Sequence, residues 1–263
     1  MVKNIVNTPL YTSGGVEPSS RASFRICKNC IKRFLAFTLA ETLIVMGIIG
    51  IVSALTLPNL NSSTGEKEKV AKVRKLYQNF NDAIGRAQAV YGPVEEWENL
   101  DSEASAKRIR FGERLTEFMK VSKNCGTAAN QGCFAKTTKK LSGGNYTMND
   151  SSQLYKFILA DGTSVLINSG NVLVDIDGPN KGKNQWGIDL FSFNLNEDKT
   201  AYMPTAYKNS FDEVLTNLKP SSGTGTSGSA WVINYDNMDY LKLDSNGKCP
   251  NGTTPTEQNP RCK

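Results

Sequence analysis

Residues 37–57 read FTLAETLIVMGIIGIVSALTL, 21 consecutive positions with one charged side chain, Glu41. As an α-helix rising about 1.5 Å per residue, this run covers about 31 Å, the thickness of a bilayer's hydrocarbon core. A carboxylate at the centre of such a helix costs about 2.5–3.5 kcal/mol on insertion scales, and less near an interface. Something has to offset Glu41. A secretory signal fits poorly, because its apolar region is shorter and ends in a small-x-small cleavage motif. Here Pro58-Asn59-Leu60 follows, and amphipathic sequence soon resumes. Residues 37–57 are therefore read as a single transmembrane helix, and a plain anchor would give Glu41 no purpose.

Charge orients that helix. The 263-residue chain has a formal charge of +6, but residues 1–36 hold Lys3, Arg21, Arg25, Lys28, Lys32 and Arg33 against Glu17 alone. That leaves about +1 for everything else. Positive charge flanking a span marks its cytoplasmic side, so the N-terminus is expected in the cytoplasm and residues 58–263 on the far side. A body this close to neutral has little electrostatic pull on nucleic acid, and none is expected as a partner. Lys136, Lys139 and Lys140, and separately Lys181 and Lys183, read as solvated surface. Histidine is absent, which excludes Ser-His and Cys-His nucleophilic sites and His-ligated metals. With no Gly-rich phosphate loop and no nucleophile elbow, no enzymatic activity is expected. The competing classes are a membrane-anchored ectodomain with binding or enzymatic activity, and a DNA-uptake protein with a basic stripe.

Beyond the apolar run, Ser63-Thr64-Gly65-Glu66 has the spacing of a capping box and predicts a helix start. Val70, Val73, Leu76, Tyr77, Phe80, Ile84, Ala87 and Tyr91 recur at three- and four-residue steps, giving an amphipathic helix over 64–91 that Gly92-Pro93 ends. A second helix is expected around 102–121, with Ile109, Phe111, Leu115, Phe118 and Met119. From Leu154 the period changes: LYKFILADGTSVLINSGNVLVDIDG holds three β-rich runs separated by Asp161-Gly162 and Asn168-Ser169-Gly170, and WGIDLFSFNL supplies a fourth. The expected fold is α+β, a small antiparallel sheet laid over one long helix. Ser210–Glu213 is a further capping box, SSGTGTSGSA reads as a flexible loop, and WVINYDNMDYLKL reads as a last strand.

Six cysteines fall into close pairs: Cys27 with Cys30, Cys125 with Cys133, and Cys249 with Cys262. If the C-terminal part is exported, the last four can oxidise, each short loop contributing roughly 2.5–3 kcal/mol. Four cysteines permit three connectivities, and spacing does not choose among them. Cys27-x-x-Cys30 supplies only half of a zinc site. Asp175, Asp177, Asn180 and Asp189 offer oxygens to a hard cation such as calcium, but Gly178 follows Asp175 by three residues and not the five of an EF-hand loop. The competing reading is that Gly and Pro make the turn while Asp and Asn accept from backbone amides.

The run Arg33-Phe34-Leu35-Ala36, then Phe37-Thr38-Leu39-Ala40-Glu41, and the unbroken apolar helix after it resemble the leader and N-terminal helix of type IV pilins and the pseudopilins of type II secretion. The resemblance implies a pilin-like fold with three parts: a removed cytoplasmic leader (1–36), a helix that spans the membrane and then forms the filament core (37–57), and an extracytoplasmic head (58–263). It implies cleavage between Ala36 and Phe37 by a prepilin peptidase and N-methylation of Phe37. Glu41, fifth after the cut, would then pair with the new amine of a neighbouring subunit. Gly50 and Pro58 fall where the family carries helix-loosening residues. Like or related subunits, a platform protein, an assembly ATPase and membrane lipid are the implied partners. The inner membrane, and then a cell-surface filament, are the implied locations. Some secretion pseudopilins carry a calcium loop in the head, which adds to the case for Asp175, Asp177, Asn180 and Asp189. The tail from Cys249 to Cys262 is similar to the disulfide-closed end of many pilins. The family usually has Gly before the cut; Ala36 implies slower processing.

Overall fold

The computed structural model describes residues 38–99 and 103–262, with the side chains of 55–64, 98 and 99 left aside. The chain divides into two units, Met1–Ser53 and Ala54–Lys263. Helix α1 spans Leu39–Tyr91. In the second unit its apolar stripe is the floor of the main core: Val70, Val73, Leu76, Phe80, Ala83, Ile84 and Ala87 are all buried. The helix ends where Gly92 takes a left-handed φ of +77° and Pro93 has no amide to offer. Trp97 Nε1 donates to the freed carbonyls of Tyr91 (3.2 Å) and Gly92 (3.0 Å). The expected start at Ser63 is not found, because α1 runs through 58–66 without a break. A cap serves amides that lack a preceding helical turn, and here the preceding residues are already helical.

After α1 come two short helices, α2 (Val94–Asn99) and α3 (Ala104–Glu117), which pack through Trp97 and Phe111 at 5.8 Å between ring centroids. A six-stranded antiparallel sheet follows in the order β1-β4-β5-β6-β7-β8. Its strands are β1 (Val121–Gly126), β4 (Tyr155–Leu159), β5 (Ser164–Asn168), β6 (Asn171–Asp175), β7 (Leu190–Leu195) and β8 (Tyr202–Pro204). The hairpin β2 (Thr138–Lys139) and β3 (Asn145–Tyr146) stands apart from that sheet. The expected turns are where the sequence puts them: Asp161 accepts from the Thr163 amide (3.1 Å), and Asn168 pairs with Asn171 across Ser169-Gly170.

Both faces of the sheet are covered, and alternate residues divide between two cores. Phe157, Val165, Ile167, Val172, Val174, Phe191 and Phe193 join the main core with the α1 stripe, while Leu166, Leu173 and Leu190 pack with Phe134, Ala135 and Trp186 on the other side. Strands buried on both faces read as continuous apolar runs, which is why SVLI and NVLV show no polar alternation. The sheet's two edges are blunted. Strand β1 shifts register against β4 at two points, and β8 is three residues long.

The C-terminal region departs from expectation in two places. The Ser210–Glu213 capping box forms and opens α4 (Phe211–Asn217). The expected last strand is instead α5 (Gly228–Tyr235) followed by a 3₁₀ turn at Asp239–Lys242. Trp231 decides this: fully buried, it packs against Phe211, Tyr235 and Tyr240 at 5.6, 5.0 and 5.9 Å. Helical spacing puts Tyr235 one turn from Trp231, and packing overrides their strand propensity. The expected flexible loop is ordered as well. Asn217 holds it through Thr224 Oγ1, Thr226 Oγ1 and the Ser227 amide. Gly225 has a φ of +86°, and a Cβ there would lie 2.6 Å from Trp186 O, so its glycine serves close approach and not flexibility. We expect Trp231→Ala to cost about 3–5 kcal/mol, read as a lower urea midpoint, because it empties the centre of this cluster.

Candidate functional site

Glu41 stands in the first turn of α1, where Thr38 is the residue before the helix. The Thr38 amide and Oγ1 each lie 2.9 Å from Glu41 Oε2, and the Glu41 amide donates back to Thr38 Oγ1 at 3.2 Å. This reciprocal arrangement is a capping box, and the spacing Thr-Leu-Ala-Glu is its signature. The same spacing occurs at Ser63–Glu66, where no helix starts. A carboxylate in the first turn also faces the positive end of the helix dipole. Part of the cost of Glu41 is thus met inside its own helix.

Around it the surface is apolar on every side. Leu39, Leu43, Ile44, Val45, Met46, Ile48, Ile49, Ile51 and Val52 are between 53% and 79% exposed. A helix that is apolar all round belongs in a protein core or a membrane. Among the described residues no helix is long and apolar enough to cross a membrane; the sequence run continues to Leu57, past Ala54, the last side chain described before the gap. Gly50 lies within α1, and a Cβ there would meet nothing within 4 Å. Pro58 is also within α1, its side chain outside the description, so neither residue interrupts the helix. Ala36 and Phe37, with Cys27 and Cys30, lie outside the described residues.

The acidic loop joins β6 to β7 on the head. Asp175 and Asp189 are both fully buried, whereas Asn180 is exposed. Asp175 Oδ1 accepts from the amides of Asp177 (3.3 Å) and Gly178 (3.2 Å), and in its satisfied amide orientation Asn184 donates to Asp175 Oδ2 at 3.1 Å. Asp189 accepts three backbone amides, those of Lys183, Asn184 (2.9 Å) and Gln185 (2.6 Å). Asp177 Oδ2 lies 3.3 Å from Lys69 Nζ on α1. Among the described residues no group of three His, Cys, Asp or Glu side chains is placed to hold a metal ion. Burial, reinforced by the nearby charge of Asp189, pushes the Asp175 carboxyl up to about 8.

Both head disulfides are formed, Cys125–Cys133 and Cys249–Cys262. The first closes a loop that a buried ion pair also grips. Asp150 accepts from the amides of Gly132 (2.7 Å) and Phe134 (3.2 Å), on either side of Cys133, while Lys156 Nζ donates to the carbonyls of Asp150 (2.7 Å) and Ser152 (2.6 Å). Burial lowers the Lys156 pKa, and the Asp150 charge opposes that shift. The pair was not legible in sequence, since Asp150 and Lys156 gain meaning only when β4 brings them beneath the loop. No family model matches this chain, and neither a curated protein nor a solved structure is significantly similar to it.

The raised Asp175 pKa has a definite sign. The folded form keeps its proton through neutral pH, while the unfolded chain releases it near pH 4. The stability it confers is whole below about pH 4 and falls as pH rises toward about 8, by up to about 1.4 kcal/mol per pH unit. Urea unfolding at a series of pH values should show that decline in the wild type and a flatter profile in Asp175→Asn.

Proposed function

We propose that this chain is a structural subunit, a pilin or pseudopilin, of a type IV pilus or type II secretion-type filament. The observation that carries the reading is the exposed apolar surface of residues 39–52, in which Glu41 is the only charged side chain. Burying one large apolar side chain is worth about 1.5–3 kcal/mol, so covering nine of them is a strong drive for association or membrane residence. The sheet edges support helix-mediated assembly, because two register shifts in β1 and the shortness of β8 leave little for strand addition between copies. Disulfides in the head suit an oxidising, extracytoplasmic location. The α+β head, with α1 beneath an antiparallel sheet, suits a pilin-like arrangement.

In this reading the precursor sits in the inner membrane through residues 37–57 with its N-terminus in the cytoplasm. A prepilin peptidase cuts between Ala36 and Phe37 and methylates the new amine. A platform protein and an assembly ATPase then move subunits from lipid into the filament, where Glu41 meets the amine of a neighbour. No catalytic role is assigned to the chain. Replacing Glu41 with Ala tests this directly: membrane fractionation should find the variant inserted in normal amount, while sheared-filament preparations contain at least tenfold less of it. An anchored enzyme or receptor would lose nothing from the same change.

A further inference from the structure

The loop between β6 and β7 gathers acids as a cation site would, but its oxygens are already committed. A carboxylate offers about four acceptor positions. Asp189 gives three of them to backbone amides, and Asp175 gives three to two amides and the Asn184 side chain. Calcium takes six to eight oxygens; of the other two candidates, Asp177 faces Lys69 and Asn180 is exposed. There is little space either: at Gly182, whose φ is +70°, a Cβ would lie 2.3 Å from Asp189 Oδ2 and 3.0 Å from Asp177 Oδ2.

A cation is nevertheless present. Lys69 Nζ lies 3.3 Å from Asp177 Oδ2 and donates to Ile188 O at 3.3 Å; burial raises the Asp189 pKa, and the Lys69 charge is among the influences that oppose that shift. One turn further along α1, Lys72 Nζ donates to Ile176 O, so the two lysines grip both ends of the loop. We propose that the Lys69 ammonium is the resident cation of this loop, in place of the calcium that the family resemblance implies, so that the head holds the loop to α1 without any metal. A lysine adds no dependence on the surrounding calcium concentration, and its ion pair and hydrogen bond hold the loop to the helix the sheet packs on.

The test uses the full-length protein in detergent micelles, with thermal melting compared in millimolar calcium and in EDTA. The wild type should melt at the same temperature in both, and terbium should show no calcium-displaceable emission sensitised by Trp186 within the loop. Lys69→Arg keeps the charge and should behave like the wild type. Lys69→Met should melt lower by the same amount in EDTA and in calcium, since the committed oxygens leave calcium no site to fill. A wild-type difference of more than about 3 °C between the two buffers, or terbium emission that calcium displaces, would overturn the proposal. So would a Lys69→Met protein that melts like the wild type in both buffers. If Lys69→Met does not fold, the wild-type melting and terbium measurements still decide the matter.

Discussion

A helix that is apolar on every side has to be covered, and among the described residues the large apolar side chains from Leu39 to Val52 are each more than half exposed. This constraint separates the two parts of α1. In the head, apolar residues keep to one stripe, so the sheet satisfies them and the opposite face carries Lys67, Glu68, Arg74, Lys75 and Asp82 to solvent. Before the head there is no polar face to give to water. The capping box of Thr38 and Glu41 is consistent with an apolar setting, because it gives one carboxylate oxygen and the amides of Thr38 and Glu41 partners without help from solvent. Its carboxylate keeps unused acceptor positions, so a further cation can still bind there.

The head answers a different requirement, that of holding a short-stranded sheet firmly to one helix. Two-sided burial supplies most of the cohesion, and polar clasps fix the connections. Asn217 organises the approach to α5, Asp150 and Lys156 hold the Cys133 loop, and Lys69 and Lys72 hold the acidic loop. In each case a side chain buried or half-buried in the head satisfies backbone groups of an irregular segment, which would otherwise carry unpaired amides and carbonyls inside the protein. The loops are therefore ordered parts of the structure despite their Gly, Ser and Asn content.

The elements legible in sequence are those decided by local periodicity. The α1 stripe from Val70 to Ala87, the β4–β5–β6 hairpins with their Asp-Gly and Ser-Gly turns, and the cap of α4 all follow from spacing alone. Partners distant in sequence decided the rest. Trp231 makes α5 a helix because Phe211 and Tyr240 close around it, and β1 exists because β4 offers it an edge. At the candidate site, Glu41 is legible through its cost, and the Thr38-x-x-Glu41 spacing carries the signal of its partner. Asp175, Asp177, Asn180 and Asp189 read as candidate cation ligands, and the pairing of Asp177 with Lys69 is not legible, since that lysine lies more than a hundred residues earlier in the chain.

The central claim is that the apolar helix becomes an assembly surface once proteolysis places a positive terminus beside Glu41. Its most direct test is mass spectrometry of the N-terminal peptide from the protein as purified from filaments of its own cells. The account predicts a chain beginning at a methylated Phe37. A chain that polymerises normally while keeping residues 1–36 would contradict it.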